Sequence, residues 1–125
     1  MFHKTIIVGR AGKDAEMRFT QSGKGVTSFS VAVQDGFGDK KKTVWYRVTA
    51  WEKLAETCNT YVKKGMLVLC EGNLQSDDNG GPRVWTDKQG VSKASFELNA
   101  HVVRFLSSVE KQVDEALPYN DEDPF

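Results

Sequence analysis

Residues 43–51 carry two kinds of side chain in strict alternation, which is the period of a β-strand. One face is apolar enough to lie on a core, and consists of Val44, Tyr46, Val48 and Ala50. The opposite face consists of Thr43, Trp45, Arg47, Thr49 and Trp51. Burying Arg47 without a partner would be costly, so we expect this second face to lie outside the core.

Two indole rings separated by a cation and hydroxyls are suited to binding unpaired nucleic-acid bases. Stacking of a base on an aromatic ring contributes roughly 1–3 kcal/mol. The guanidinium of Arg47 can contact a phosphate or stack on a ring. Alternatively, Trp45 and Trp51 cover a barrel mouth or a subunit contact. The strand alone leaves both interpretations open.

Two further aromatic residues stand beside cations. Phe37 lies in a glycine-containing loop next to the lysines at 40–42, and Trp85 lies near Arg83 in a polar segment. Aromatic residues interleaved with cations on loops and exposed strands are typical of a groove that binds single strands of any sequence. Either position alone could be a local apolar plug, but the four aromatic residues together favour a nucleic-acid surface.

Apolar periodicity predicts the elements that must position these side chains. Segments 4–10, 26–33, 66–70 and 94–102 are predicted strands, in addition to 43–51. One helix is predicted over 52–64, with Gly65 after it, from the helical spacing of Leu54, Cys58, Tyr61 and Val62. Polar loops are expected at 35–42 and 77–82, with a hairpin tip at 87–90. The order fits an all-β, five-stranded Greek-key barrel with its helix between strands three and four.

The length and the cysteine pattern limit the class of protein. A chain of 125 residues has room for one domain of ordinary size. It contains no apolar run of about 18 residues that could span a membrane, and its first apolar run is too short for a signal peptide. Cys58 and Cys70 are far apart and lack a Cys-x-x-Cys pattern. We expect two reduced, buried thiols in a cytoplasmic protein, and neither a disulfide nor a zinc site.

The net charge of zero is the sum of two unlike parts. Residues 1–106 contain 16 Lys and Arg against 11 Asp and Glu, which gives +5. Residues 107–125 contain one Lys against six acids, which gives −5. This asymmetry suggests a basic binding surface with an acidic appendage, although a split of this size can also arise by chance.

No catalytic motif is found in the sequence. His3 and His101 are isolated from any nucleophile, and neither a phosphate-binding loop, His-Glu-x-x-His nor Gly-x-Ser-x-Gly occurs. Glu52 and Glu56 lie four apart on the predicted helix, which suits a solvated face better than a metal pair. We therefore expect no enzyme, no cofactor and no metal.

Four segments, 4–33, 43–65, 71–75 and 84–90, resemble the bacterial single-stranded DNA-binding proteins, in the same order along the chain. The resemblance covers about residues 4–106. It implies an OB-fold, usually tetrameric, that wraps single-stranded DNA without sequence specificity. By position, the family's stacking aromatic residues correspond to Phe37, Trp45, Trp51 and Trp85, and its phosphate-contacting cations to Arg47, Lys53, Lys64 and Arg83. Lys53 could equally be a solvated residue of the first helical turn.

The end of the chain resembles the family's acidic tip, which docks replication, recombination and repair proteins. The tip consists of Asp121, Glu122, Asp123, Pro124 and Phe125. A terminal Phe offers a ring for an apolar pocket and a carboxylate for a cation, and the flanking acids steer it to basic surfaces. The alternative is an ordinary solubilising tail. We divide the chain into an OB-fold domain at 1–106, a linker at 107–120 and the tip at 121–125.

The sequence departs from the family in two places. The linker is short, and Leu106, Val109, Val113 and Leu117 have a helical spacing in it, which indicates a short helix or a plain tether. The segment 76–82 is longer than usual and carries Asp77 and Asp78, which we expect near the groove, where they would weaken binding or re-route part of the binding path. A competing interpretation is another OB-fold module, such as an RNA- or tRNA-binding domain or a primosome accessory protein. A protein-interaction scaffold that has lost DNA binding is a further alternative.

Overall fold

The structure, a computed structural model, describes residues 1–107. Its elements in chain order are β1 Thr5–Ala11, β2 Glu16–Phe19, β3 Gly25–Asp35, β4 Lys42–Trp51, α1 Glu52–Tyr61, β5 Leu67–Leu74, β6 Val84–Thr86, β7 Ser92–Ala94 and β8 Phe96–Phe105. A single 3₁₀ turn, Gly38–Lys40, lies between β3 and β4. The predicted linker and tip lie outside the described residues, apart from Ser107.

Five of the strands close into a barrel. The sheet runs in the order β1-β5-β8-β4-β3, and β1 pairs again with β3 through Arg10 with Ala32 and Ala11 with Val31. The pairings are antiparallel except that of β4 with β8, which is parallel. β2 extends the sheet as an edge strand on β3. The predicted five-stranded barrel with a helix between its third and fourth strands is therefore confirmed.

The core is formed by the inward residues of the barrel strands and by one side of α1. Its largest fully buried side chains include Leu98, Val31, Val48 and Val68. Alternation along the strands places these residues inside, because every second side chain points to the same face. The hydroxyl of Thr27 donates to the carbonyl of Ala55 at 2.7 Å, which attaches β3 to the helix.

Both cysteines are buried and carry free thiols, as the sequence predicted. Burial raises the pKa of the Cys58 thiol to about 11. Burial, with a smaller contribution from Cys58, raises the pKa of the Cys70 thiol to about 12. Both groups are therefore protonated at neutral pH and act as small apolar core residues.

The helix is shorter than predicted. It ends at Tyr61 and not at residue 64, because Val62 adopts an extended backbone with φ of −76° and ψ of 116°. Leaving the helix lets the Val62 side chain enter the core, where it is fully buried. Tyr61, which was predicted on the core side, is 56% exposed and packs its ring against Phe105 at 5.7 Å.

The outer face of β1 is apolar and uncovered within the described chain. Ile7 points into the core and is 5% exposed, whereas Ile6 and Val8 point outward and are 57% and 44% exposed. β1 pairs with β5 along Thr5 to Arg10, but with β3 only at its last two residues. The first part of β1 is therefore an open strand edge beside an apolar surface.

β6 and β7 form a separate two-stranded sheet beside the barrel. At its tip, the Asp87 carboxylate accepts the backbone N–H groups of Gln89 and Val91, each at 2.9 Å. These hydrogen bonds, led by that from Val91, hold the pKa of Asp87 below its usual value. The predicted hairpin tip at 87–90 is confirmed. Within residues 1–107, no helix is long and apolar enough to cross a bilayer.

Candidate nucleic-acid interface

A groove of about 730 Å³ lies on the outer surface of β2, β3 and β4, beside the β6–β7 hairpin. Its lining includes four cations, which are Lys13, Arg18, Arg47 and Arg83. It also includes three carboxylates, which are Asp14, Glu16 and Glu97. With charges of +4 and −3, the groove is close to electrically balanced. Binding of a polyanion in this groove would therefore depend on individual cations and on apolar contacts, and not on a large net positive charge.

The outward face of β4 contributes Arg47, Thr49 and Trp51 to the lining. The alternation predicted for this strand is confirmed at its second half, where Val48 and Ala50 are fully buried and Trp51 is 41% exposed. β4 ends at Trp51, and Glu52 turns the chain into α1 with a φ of 57°. This left-handed conformation is uncommon for a residue with a Cβ. It leaves Trp51 at the edge of the groove.

The hairpin contributes Arg83 and Trp85 to the same groove. The guanidinium carbon of Arg83 lies 4.7 Å from the centre of the Trp85 ring, within the range of a cation–π contact. Arg83 also forms an ion pair with Glu97 on β8. Hydrogen bonding to Glu97 is the main cause that raises the pKa of Arg83. Val84, between Arg83 and Trp85 in the sequence, is exposed.

The structure brings four of the eight predicted nucleic-acid residues into this groove. They are Arg47, Trp51, Arg83 and Trp85. Trp45 is half-buried and belongs to the same outward face of β4. It lies two residues from Arg47, or about 7 Å along the strand, outside the groove lining. Phe37 lies still further in this direction, in the loop before β4, and is 91% exposed.

Lys53 and Lys64 are both exposed and lie outside the groove lining. Lys53 is in the first turn of α1, next to the groove edge at Trp51. The backbone N–H of Lys64 donates to the carboxylate of Asp14 at 2.8 Å, which places this residue beside one of the acidic lining residues. Both lysines flank the groove.

Several lining residues were not predicted from the sequence. Lys13, Arg18, Gln75 and Glu97 line the groove. Arg18 could have been predicted, because the alternation of a short strand places it on the same face as Glu16. Glu97 had no local signal, since it enters the groove through the pairing of β8 with β4.

The acidic loop at 76–82 connects two lining residues, Gln75 and Arg83, so it lies near the groove as expected, but none of its own residues lines it. Neither Asp77 nor Asp78 is among the lining residues. The Asp77 carboxylate accepts the backbone N–H groups of Asn79 and Gly81 at 2.9 and 3.0 Å, so it stabilises its own loop. Within residues 1–107, no group of three His, Cys, Asp or Glu side chains is arranged to hold a metal ion.

A family model described as the single-strand binding protein family matches residues 2–106 of this chain. A single-stranded DNA-binding protein of Neisseria meningitidis serogroup B is 34% identical over 109 residues, covering 83% of this chain and 59% of the relative. Single-stranded DNA-binding protein 1 of Chlorobaculum tepidum is 39% identical over 102 residues, covering 77% and 59%. The Thermotoga maritima single-stranded DNA-binding protein is 37% identical over 110 residues, covering 84% and 74%.

Among solved structures, a Plasmodium falciparum SSB in complex with ssDNA is similar to this chain, with a TM-score of 0.67 and 23% identity. The match covers 86% of this chain and 96% of that one. At this identity the likeness concerns the fold, which is the OB-fold barrel. The chain spans about three-fifths of the length of the Neisseria and Chlorobaculum relatives, since it covers 59% of each.

Proposed function

The chain belongs to the single-strand binding protein family, and from this premise we propose that it binds single-stranded DNA without sequence preference. The proposed role is to protect such DNA during replication, recombination and repair, without catalysis, in the cytoplasm at the nucleoid. The observation that carries the proposal is the convergence of Trp51, Trp85 and Arg47 on one groove, from elements far apart in the sequence.

Base stacking supplies the affinity in this proposal. Trp51 at one edge of the groove and Trp85 on the hairpin each offer an indole ring to a base, and every base has a face that can stack on it. Trp45 and Phe37 continue the aromatic path along β4 and into the loop before it. Because stacking reads no base edge, the bound strand needs no particular sequence.

Arg47 is the cation best placed to hold a phosphate. It lines the groove on the same face of β4 as Trp45 and Trp51, and none of the ion pairs found within residues 1–107 involves it. The flanking Lys53 and Lys64 would extend the phosphate path beyond the groove. Binding by such contacts releases counterions from the nucleic acid, so affinity falls as the salt concentration rises.

Titration with oligo-dT of several lengths at two salt concentrations tests this function. We expect strong quenching of tryptophan fluorescence, and weaker binding at the higher salt concentration. Competition with RNA and duplex DNA distinguishes the alternative, an RNA- or tRNA-binding or primosome-type OB module. Oligo-dT should displace bound RNA, and duplex DNA should compete poorly. If RNA displaced oligo-dT at equal concentration, the alternative would be favoured.

We further propose that the chain assembles into a homotetramer. The apolar outer face of β1, formed by Ile6 and Val8, is the surface that supports this proposal, because a strand that is apolar on both sides needs cover on both. The open edge of β1 offers backbone donors and acceptors to a second copy.

The C-terminal tip is proposed to recruit replication, recombination and repair proteins. Its five residues, Asp121, Glu122, Asp123, Pro124 and Phe125, lie outside the described residues, and the proposal rests on their sequence. Deletion of residues 121–125 should leave oligo-dT affinity unchanged or raised, because the acidic tail competes electrostatically with DNA. A clear loss of affinity in equilibrium titration would contradict this competition.

A further inference from the structure

Arg83 and Glu97 form a two-point ion pair across the groove wall. The Nε of Arg83 donates to one carboxylate oxygen of Glu97 at 2.8 Å, and Nη2 donates to the other at 3.2 Å. The Glu97 side chain is 10% exposed and that of Arg83 is 43% exposed. Two parallel hydrogen bonds fix both the position and the plane of the guanidinium.

The same guanidinium lies over the Trp85 ring, at 4.7 Å from its centre. Two contacts therefore connect Glu97 to Trp85 through Arg83. The Glu97 carboxylate binds the guanidinium of Arg83, and this guanidinium packs on one face of the Trp85 indole. Trp85 is only partly buried, and under the proposed function a base stacks on the ring face away from Arg83. The contact with Arg83 restricts the indole before any ligand arrives, which lowers the ordering cost of binding.

Glu97 belongs to the barrel, whereas Arg83 and Trp85 belong to the hairpin segment. Glu97 is the second residue of β8, which pairs with β4 and β5, and its backbone carbonyl accepts the N–H of Gln75 at 2.7 Å. Trp85 is on β6, which pairs only with β7 in its own sheet. A two-stranded hairpin is marginal by itself. The ion pair links it to the barrel.

Arg47 lines the same groove as Arg83 but differs from it in ion pairing. It is the strand partner of Glu97 in the parallel pairing of β4 with β8, so both residues project toward the groove. Arg83 has its charge matched by Glu97, whereas Arg47 has no ion pair within residues 1–107. Two arginines in one groove therefore have different electrostatic environments.

We infer that Glu97 is a positioning residue for the proposed DNA-binding function: it holds Arg83 against Trp85, so that Arg83 orients a stacking ring and does not contact a phosphate. This inference rests on the proposed function and differs from one expectation of the family resemblance, which placed Arg83 among the phosphate-contacting cations. Arg47 retains that role.

The first test needs no DNA. The chain has three tryptophans, so Trp45→Phe combined with Trp51→Phe leaves Trp85 as the single indole. In this background, Glu97→Gln and Arg83→Lys should raise acrylamide quenching of Trp85 and lower its fluorescence anisotropy. Neither a glutamine nor a lysine can maintain the charged fork that holds a planar group over the ring. Unchanged quenching and anisotropy in both variants would overturn the inference.

Glu16→Gln is the matched control. Glu16 also lines the groove and pairs with Arg18 at 3.8 Å, but both side chains are mostly exposed, and neither is in the ion-pair and ring contact of Trp85. Glu16→Gln, like Glu97→Gln, removes one negative charge from the groove lining. We expect the Trp85 signal to stay at its parent value in this variant. Circular dichroism melting of each variant checks that the barrel is intact.

The second test measures salt dependence with labelled oligo-dT and chains that keep all three tryptophans. Arg47→Ala should reduce the slope of log affinity against log salt by about 0.7, the value for one phosphate contact with a single strand. Arg83→Ala should weaken binding with no change of slope. Glu97→Gln should increase the slope by about 0.7, because Arg83 is released to meet a phosphate. A reduced slope in Arg83→Ala would overturn the inference.

The two tests separate this inference from the function on which it rests. If the parent chain failed to bind oligo-dT, the proposed function would be wrong, while the Trp85 signal would still report on Glu97. If the parent bound oligo-dT but Glu97→Gln matched it in Trp85 quenching, anisotropy and salt slope, only the positioning role would fail.

Discussion

Replacing both groove tryptophans, Trp51→Ala with Trp85→Ala, should weaken oligo-dT binding by about 2–6 kcal/mol, because each ring contributes roughly 1–3 kcal/mol by stacking on a base. The smaller figure already corresponds to a loss of about 30-fold in affinity. Titration with labelled oligo-dT at fixed salt measures the loss. The slope of affinity against salt should stay at the parent value, since neither ring carries charge.

The fold should survive this double substitution, because Trp51 is 41% exposed and Trp85 belongs to a hairpin outside the barrel sheet. Phe19→Ala is the matched control. Phe19 is an aromatic residue on β2 that is 70% exposed and does not line the groove. Its removal should leave affinity unchanged. If the double variant bound oligo-dT like the parent, the assignment of the groove would be wrong.

Ile6→Lys should convert the proposed homotetramer to smaller species. Ile6 lies on the uncovered outer face of β1 at 57% exposure, so the isolated chain accommodates a lysine there. Burial of that lysine between two copies would leave a charge without a partner in an apolar contact, which is strongly unfavourable. Light scattering coupled to size exclusion should report a lower mass for the variant than for the parent.

Val91→Lys is the control for this substitution. Val91 is an apolar residue of similar exposure, 52%, but it follows the tip of a hairpin whose strands pair with none of the barrel strands. The same added charge there should leave the mass unchanged. A parent chain that remains monomeric at all concentrations would contradict the proposed assembly, and an Ile6→Lys tetramer would contradict the role of β1 in it.

Features with a local period could be predicted from the sequence. The alternation of β4 separates Val48 and Ala50 inside from Arg47 and Trp51 outside, because successive side chains of a strand point to opposite faces. The same alternation predicts the other barrel strands, and the order of strands and helix predicts the Greek-key barrel. The hairpin tip follows from Asp87, whose short side chain bonds to the turn's own backbone.

Features that depend on tertiary contacts could not be predicted. Nothing near Glu97 indicates that it faces Arg83, because their contact requires the hairpin to lie beside β8. The helical spacing continues past Tyr61, yet Val62 leaves the helix because the core offers it a buried site. The acidic loop lies near the groove as expected, but its charge gave no sign that the Asp77 carboxylate accepts hydrogen bonds from the backbone of its own loop.

The parallel pairing of β4 with β8 also determines when the groove can exist during synthesis. A chain still on the ribosome has β4 and its two tryptophans long before β8 emerges, and the parallel pairing joins segments about 50 residues apart. Such non-local closure is slow compared with helix formation. Nascent chains and fragments that end before β8 should therefore lack the assembled groove, and under the proposed function they should not bind oligo-dT.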